Sequence, residues 1–170
     1  MKKLRIINSI LIWKGKSYQL KYSDLDSFAS LPYEECQQVY GVCFYGNKMV
    51  IVKGEDGGDG KGWGLVGGHI EKGENFAQTL AREVQEETNM RVLQSIPVGA
   101  QEISQLKGKT AYQLRYCAVV EPIGVFEKDP AGSVTEIKLI NPQDYRKYFD
   151  WGEIGERIIQ RAMELRKGLY

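Results

Sequence analysis

Residues 75 to 88 constrain this chain most, because they are its most strongly written helix in a sequence otherwise dominated by short β-like runs. Asn75-Phe76-Ala77-Gln78 fits a capping box, with Asn75 as N-cap and Gln78 three residues on, and Phe76, Leu80 and Val84 recur at helical spacing. The spacing predicts a helix over 76–88. Its end is unusual: Glu83, Glu86 and Glu87 occupy the last turn and a half, where the helix dipole disfavours negative charge by roughly 0.3–1 kcal/mol per group. Glu83 also repels Glu86 and Glu87 at i+3 and i+4. At ~100° per residue, the three carboxylates flank the apolar face and should converge on one small volume. Stability alone does not ask for this. A divalent cation would account for it, because Mg²⁺ is a hard ion that takes carboxylate, water and phosphate oxygens.

Around this helix the chain reads as strands. Leu4–Trp13 and Ser17–Tyr22 suggest a hairpin about Lys14-Gly15-Lys16, and QVYGVCFYGNKMVIVK reads as strand, Gly46-Asn47 turn, strand. After Pro97, VGAQEISQL and TAYQLRYCAVV suggest two more strands joined through Lys107-Gly108-Lys109. A loop from Glu121 to Val134 leads into VTEIKLINP, another strand, and Pro142-Gln143 opens a short helix or turn. IGERIIQRAMELRK closes the sequence as a helix with Ile154, Ile158, Ala162 and Leu165 on one face.

The 170 residues, 42% hydrophobic and 26% charged, suffice for one domain with a substantial core. We read residues 1–35 as an N-terminal β extension, serving specificity or a homodimer interface, and residues 36–170 as the main domain. A net charge of +1 argues against a nucleic-acid polymer or an acidic membrane as partner. Cys36, Cys43 and Cys117 lack metal-site spacing and read as buried thiols of a cytoplasmic protein. The basic, apolar start resembles a signal peptide, but Arg5, Asn8 and Ser9 interrupt it and no small-x-small site follows. No run is long and apolar enough for a membrane span. The glycine-rich stretch from Gly54 to Gly64 is not a P-loop, since Glu55 stands where that motif needs glycine and Gly62 where it needs Ser or Thr. It reads as a hairpin loop, or as a substrate cover with Lys61 reaching a phosphate.

Residues 68–90, GHIEKGENFAQTLAREVQEETNM, resemble the Nudix box, G-x5-E-x7-R-E-U-x-E-E-x-G-U with U apolar. Gly68, Glu74, Arg82, Glu83, Glu86 and Glu87 match, and Val84 and Met90 supply the apolar positions. Asn89 replaces the final glycine, at a helix end where Asn is the next most tolerated residue. Val66 replaces a proline common before the two glycines.

The resemblance implies an α/β fold, a Nudix-like α/β/α sandwich with a mixed sheet, and hydrolysis of a nucleoside diphosphate linked to another moiety. It implies that Glu83, Glu86 and Glu87 are catalytic and hold Mg²⁺ or Mn²⁺, with a carbonyl of Gly67 or Gly68 as a further ligand. Glu74 and Arg82 would be a structural pair. A base would come from the box or from Glu127, Asp129 or Glu136. Trp63, Tyr112 and Trp151, with Phe149, are the aromatic candidates for stacking on a small-molecule nucleotide. His69, the only histidine, falls on a free position of the pattern and reads as a solvated or backbone-bonded loop residue. Nucleoside triphosphates are the default substrate class, with ADP-ribose or nucleotide sugars as the alternative. A non-catalytic nucleotide sensor would be expected to have lost Glu86 or Glu87, and both are present.

Overall fold

The computed structural model describes residues 3–54, 62–105, 108–130 and 132–169. Its elements in chain order are β1 (Ile6–Trp13), β2 (Lys16–Asp24), β3 (Cys36–Tyr45), β4 (Lys48–Gly54), β5 (Trp63–Gly64), β6 (Val66–His69), α1 (Phe76–Thr88), β7 (Met90–Ser104), β8 (Ala111–Pro122), β9 (Val134–Ile140) and α2 (Gly152–Arg166). A 3-10 turn at Pro142–Lys147 leads toward α2, as the Pro142-Gln143 pair predicts.

The described strands form one sheet in the order β1-β2-β7-β8-β3-β4-β5, with β6 on β3 and β9 on β4. β3 and β8 run parallel while the other pairs are antiparallel. The sheet is therefore mixed. Each helix covers one face. On one side Leu80 and Val84 of α1 pack with Val39, Cys43, Val66, Leu114 and Ala118. On the other, Ile154, Ile158 and Ala162 of α2 pack with Tyr22, Val42, Phe44, Val98 and Cys117. This is the α/β sandwich expected from the sequence, and strand alternation explains it: odd and even positions of β3 and β8 feed opposite layers.

Gly41 sets how closely α1 approaches, since a Cβ there would meet Leu80 Cδ1 at 2.8 Å. The capping box forms as written. Asn75 Oδ1 accepts from the Gln78 amide at 2.8 Å, and Gln78 Oε1 accepts from the Asn75 amide at 2.9 Å.

The sequence reading starts a strand after Pro97, whereas β7 begins at Met90 and runs through that proline. The ladder to β8 shifts register between Pro97 and Gly99. A bulge is where a strand tolerates a residue without an amide hydrogen. The stretch 55–61, with Lys61, and Lys107 of the β7–β8 turn lie outside the described residues. Cys36, Cys43 and Cys117 are buried free thiols.

Candidate active site

The site forms where β6 meets the C-terminal half of α1. β6 pairs with β3 so that Tyr40 faces Gly67 and Val39 faces Gly68. Both glycines are closely approached, Gly67 by backbone and Gly68 by the end of the Glu83 side chain. A Cβ at Gly67 would lie 2.2 Å from the Val39 carbonyl oxygen, and one at Gly68 would lie 2.5 Å from Glu83 Oε1. The lack of side chains lets the α1 carboxylates reach the β6 backbone. The Gly67 amide donates to Glu87 Oε1 at 2.7 Å.

Arg82 organises the remaining carboxylates. Its Nε and Nη2 donate to Glu74 at 2.8 and 3.1 Å, and its Nη2 also donates to the His69 carbonyl at 2.8 Å. Its Nη1 donates to Glu83 at 2.9 Å and to Glu86 at 3.2 Å. Thr79 Oγ1 and the Glu71 amide complete the shell of Glu74. Arg82 thus fastens the loop before α1 to the helix and also stands beside two of the box glutamates.

That arrangement changes one expectation. Among the described residues the three carboxylates do not share one volume as they stand, because Glu83 and Glu86 turn to Arg82 while Glu87 turns inward to Gly67. They remain close enough to act on one another. Burial first, and then the charges of Glu83, Asp129 and Glu86, together raise the Glu87 carboxyl to about 8, with the Gly67 amide opposing. Burial also raises Glu83, opposed by Arg82 and assisted by Glu86 and Asp129. Carboxylate oxygens are the donor type that a hard divalent cation takes, but among the described residues no group of three or more is gathered closely enough to hold one as they stand.

The other candidates are dispersed. Asp129 is buried, accepts from Ser133 Oγ at 2.8 Å and the Val134 amide at 3.1 Å, and is electrostatically coupled to Glu83 and Glu87. Glu127 lines an open cleft of about 860 Å³ together with Arg82, Gln85, Glu86, Asn89 and Lys128. Glu136 is exposed on β9, across from Lys53.

Trp63 and Trp151 lie in or against the α2-side core, where Trp63 packs edge-on to Tyr148 and Trp151 lies 4.5 Å from the Phe149 ring. Phe149 itself is fully buried. Tyr112 packs on the opposite layer, so the sheet separates it from the two tryptophans and one base cannot stack on all of them. His69 is exposed; its carbonyl receives Arg82, and its Nε2 lies 3.4 Å from Gln38 Nε2.

Sequence reading did not find the part played by Thr79 beside Glu74 or the use made of the Asn89 side chain, described below. Neither has a periodic signal.

The NUDIX domain profile matches residues 37–162, and the chain belongs to the Nudix family. By class it is a pyrophosphohydrolase acting on phosphoric anhydrides. No curated protein matches it in sequence.

Solved structures share its fold. A point mutant of the pyrophosphohydrolase BsRppH from Bacillus subtilis superposes with a TM-score of 0.66 at 18% identity, over 92% of this chain and 97% of that one. A NUDIX hydrolase from Nitrosomonas europaea gives 0.56 at 19%, over 79% and 89%. A MutT structure from a study of the Aliivibrio salmonicida and Vibrio cholerae proteins gives 0.55 at 19%, over 76% and 97%.

Proposed function

We propose that this protein hydrolyses a pyrophosphate bond in a nucleoside diphosphate linked to another moiety, by attack of water at phosphorus and with Mg²⁺ as cofactor, Mn²⁺ being an alternative. Glu83, Glu86 and Glu87 would hold the ion, with a carbonyl of Gly67 or Gly68. The observation that carries this reading is Glu87, a buried carboxylate tied to the Gly67 amide and held up at about 8 by burial and by Glu83, Asp129 and Glu86. A bound divalent ion supplies charge neutralisation at phosphate oxygens and a more acidic attacking water.

The protein's own groups do the positioning. Arg82 holds Glu83 and Glu86, and Arg82 and Glu86 line the cleft. Asp129, whose charge raises the carboxyls of Glu83 and Glu87, is the base candidate we favour over exposed Glu136. Glu127 stands on the cleft rim. Nucleoside triphosphates are the default substrates, with ADP-ribose and nucleotide sugars as the alternative.

The three buried thiols suit a cytoplasmic setting, and no described helix is long and apolar enough to cross a membrane. Residues 1–35, which supply β1 and β2, are assigned to substrate specificity or to a homodimer contact.

The test is a panel of nucleoside triphosphates, ADP-ribose, nucleotide sugars and dinucleoside polyphosphates, assayed with Mg²⁺ for released phosphate or pyrophosphate. At least one should be hydrolysed. Glu87→Gln should lower that rate by more than the roughly 10–100-fold seen when a partner outside the ligand shell is removed. Tight nucleotide binding without any hydrolysis would replace the enzyme reading by the sensor.

A further inference from the structure

Asn89 is the one fixed position at which the box departs from its pattern, and its side chain is engaged. The residue sits in the left-handed region, at φ 53° and ψ 39°, and its amide closes α1 on the Gln85 carbonyl. A glycine could do as much. Two further bonds lead away from the helix: the Asn89 carbonyl accepts from the Ile123 amide at 2.9 Å, and Asn89 Nδ2 donates to the Val125 carbonyl at 3.0 Å. Only the second needs a side chain. Gly124 lies between these contacts, and a Cβ there would come within 3.1 Å of Asn89 Nδ2, so the loop backbone is fitted closely around the amide.

The segment held in this way carries the acidic groups that the box lacks. Beyond Val125, Glu127 lines the cleft beside Arg82 and Glu86. Asp129 then turns inward, where its carboxylate accepts from Ser133 Oγ and the Val134 amide and its carbonyl from the Gly132 amide. The rear of the loop is anchored at β9. The front is anchored at Asn89.

We infer that Asn89 is a positioning residue, whose side-chain amide clamps the β8–β9 loop against the end of α1 and so sets Asp129 and Glu127 against the box carboxylates. This rests on the hydrolytic reading for its catalytic half only. Glycine at this position leaves the loop one hydrogen bond looser at the point where it leaves the helix.

The experiment compares the full chain with Asn89→Gly, which keeps the left-handed backbone accessible, and places both changes in an Asp129→Asn background. Amide exchange over residues 123–130 should quicken in Asn89→Gly by roughly five- to tenfold, about the factor for one neutral hydrogen bond. Protection of α1 and the unfolding midpoint should not fall. With Mg²⁺ and the substrate found by the panel, kcat should drop by a similar factor of about five to ten while KM stays within about twofold. In the Asp129→Asn background the same substitution should add no further loss, because Asn89 acts through the loop.

Unchanged exchange overturns the clamp. Faster exchange with unchanged kcat overturns its role in positioning, as does a fully additive loss with Asp129→Asn. A wild-type chain that hydrolyses nothing overturns the reaction, and with it the catalytic half of this inference. The exchange measurement then still decides whether Asn89 holds the loop.

Discussion

Glu74 shows how a residue outside the reacting cluster sets conditions for it. Two hydrogen bonds from Arg82 are the largest cause of its depressed carboxyl, which falls from 4.5 to about 2, with burial opposing and the Glu71 amide and Thr79 assisting. A carboxyl depressed in the folded state stabilises the fold above its unfolded value and loses that contribution as pH falls. Acid titration of the metal-free protein should therefore remove the Glu74–Arg82 contribution between about pH 4.5 and pH 2. Glu74→Gln should be less stable at pH 7 by about 1–2 kcal/mol, a figure that allows for the partial exposure of the pair. It should also show a flatter stability curve in the acid window, measured by denaturant unfolding at each pH. An equally steep curve in the variant would remove Glu74 from the account. The pairing was expected from the resemblance of residues 68–90 to the Nudix box, not from the spacing of the two residues. The attachment of Arg82 to Glu83, Glu86 and the His69 carbonyl was not, since it depends on where β6 lies.

At the scale of elements, α1 is the part of the fold most completely written in the sequence. The capping box, the apolar stripe and the left-handed Asn89 locate both of its ends. Loss of the cap tests this directly: Asn75→Ala should cost about 1 kcal/mol in thermal or denaturant unfolding. Because Arg82, Glu83, Glu86 and Glu87 lie further along the same helix, kcat should change less than stability does. A large activity loss with little change in stability would instead place Asn75 in the site. β7 was less legible. Pro97 reads locally as a strand breaker, yet the strand passes it by a register shift opposite Tyr116, and only the pairing with β8 reveals that. The β8–β9 loop was legible as a loop with acidic residues. Its attachment through Asn89 was not, because the bond runs from residue 89 to residue 125 and leaves no periodic trace.

At the scale of the whole molecule, the N-terminal hairpin and the C-terminal helix are joined by buried charge. Asp24, at the end of β2, accepts from Arg157 Nη2 at 2.6 Å and from the Arg5 amide at 2.9 Å, and Arg161 reaches Asp26 and the Val98 carbonyl. Burial alone would raise the Asp24 carboxyl, but Arg157 and the Arg5 amide hold it below its ordinary value. Removing one partner strands the others, so Asp24→Asn should destabilise the protein by about 3–5 kcal/mol. Denaturant unfolding measures this, and a loss under about 1 kcal/mol would mean that the network relaxes into water. Arg115 is a third buried arginine, stacked 4.9 Å from the Tyr40 ring centroid and with its Nε unpartnered among the described residues. The helical stripe of α2 was legible, and Ile154, Ile158 and Ala162 are buried as expected. Arg157 and Arg161 were not legible as buried groups, because a charged residue beside an amphipathic stripe is ordinarily solvated. By itself the sequence determined the helix of the box, its glutamates and glycines, the strand-rich frame and the family, since all of these follow from local spacing. Tertiary structure alone decided that Glu87 turns to Gly67 while Arg82 takes Glu83 and Glu86, that Asp129 turns to Ser133 and the Val134 amide, and that Asp24 meets Arg157. Those outcomes depend on distances between residues far apart in the chain, and such distances are set only when the sheet and its two helices pack.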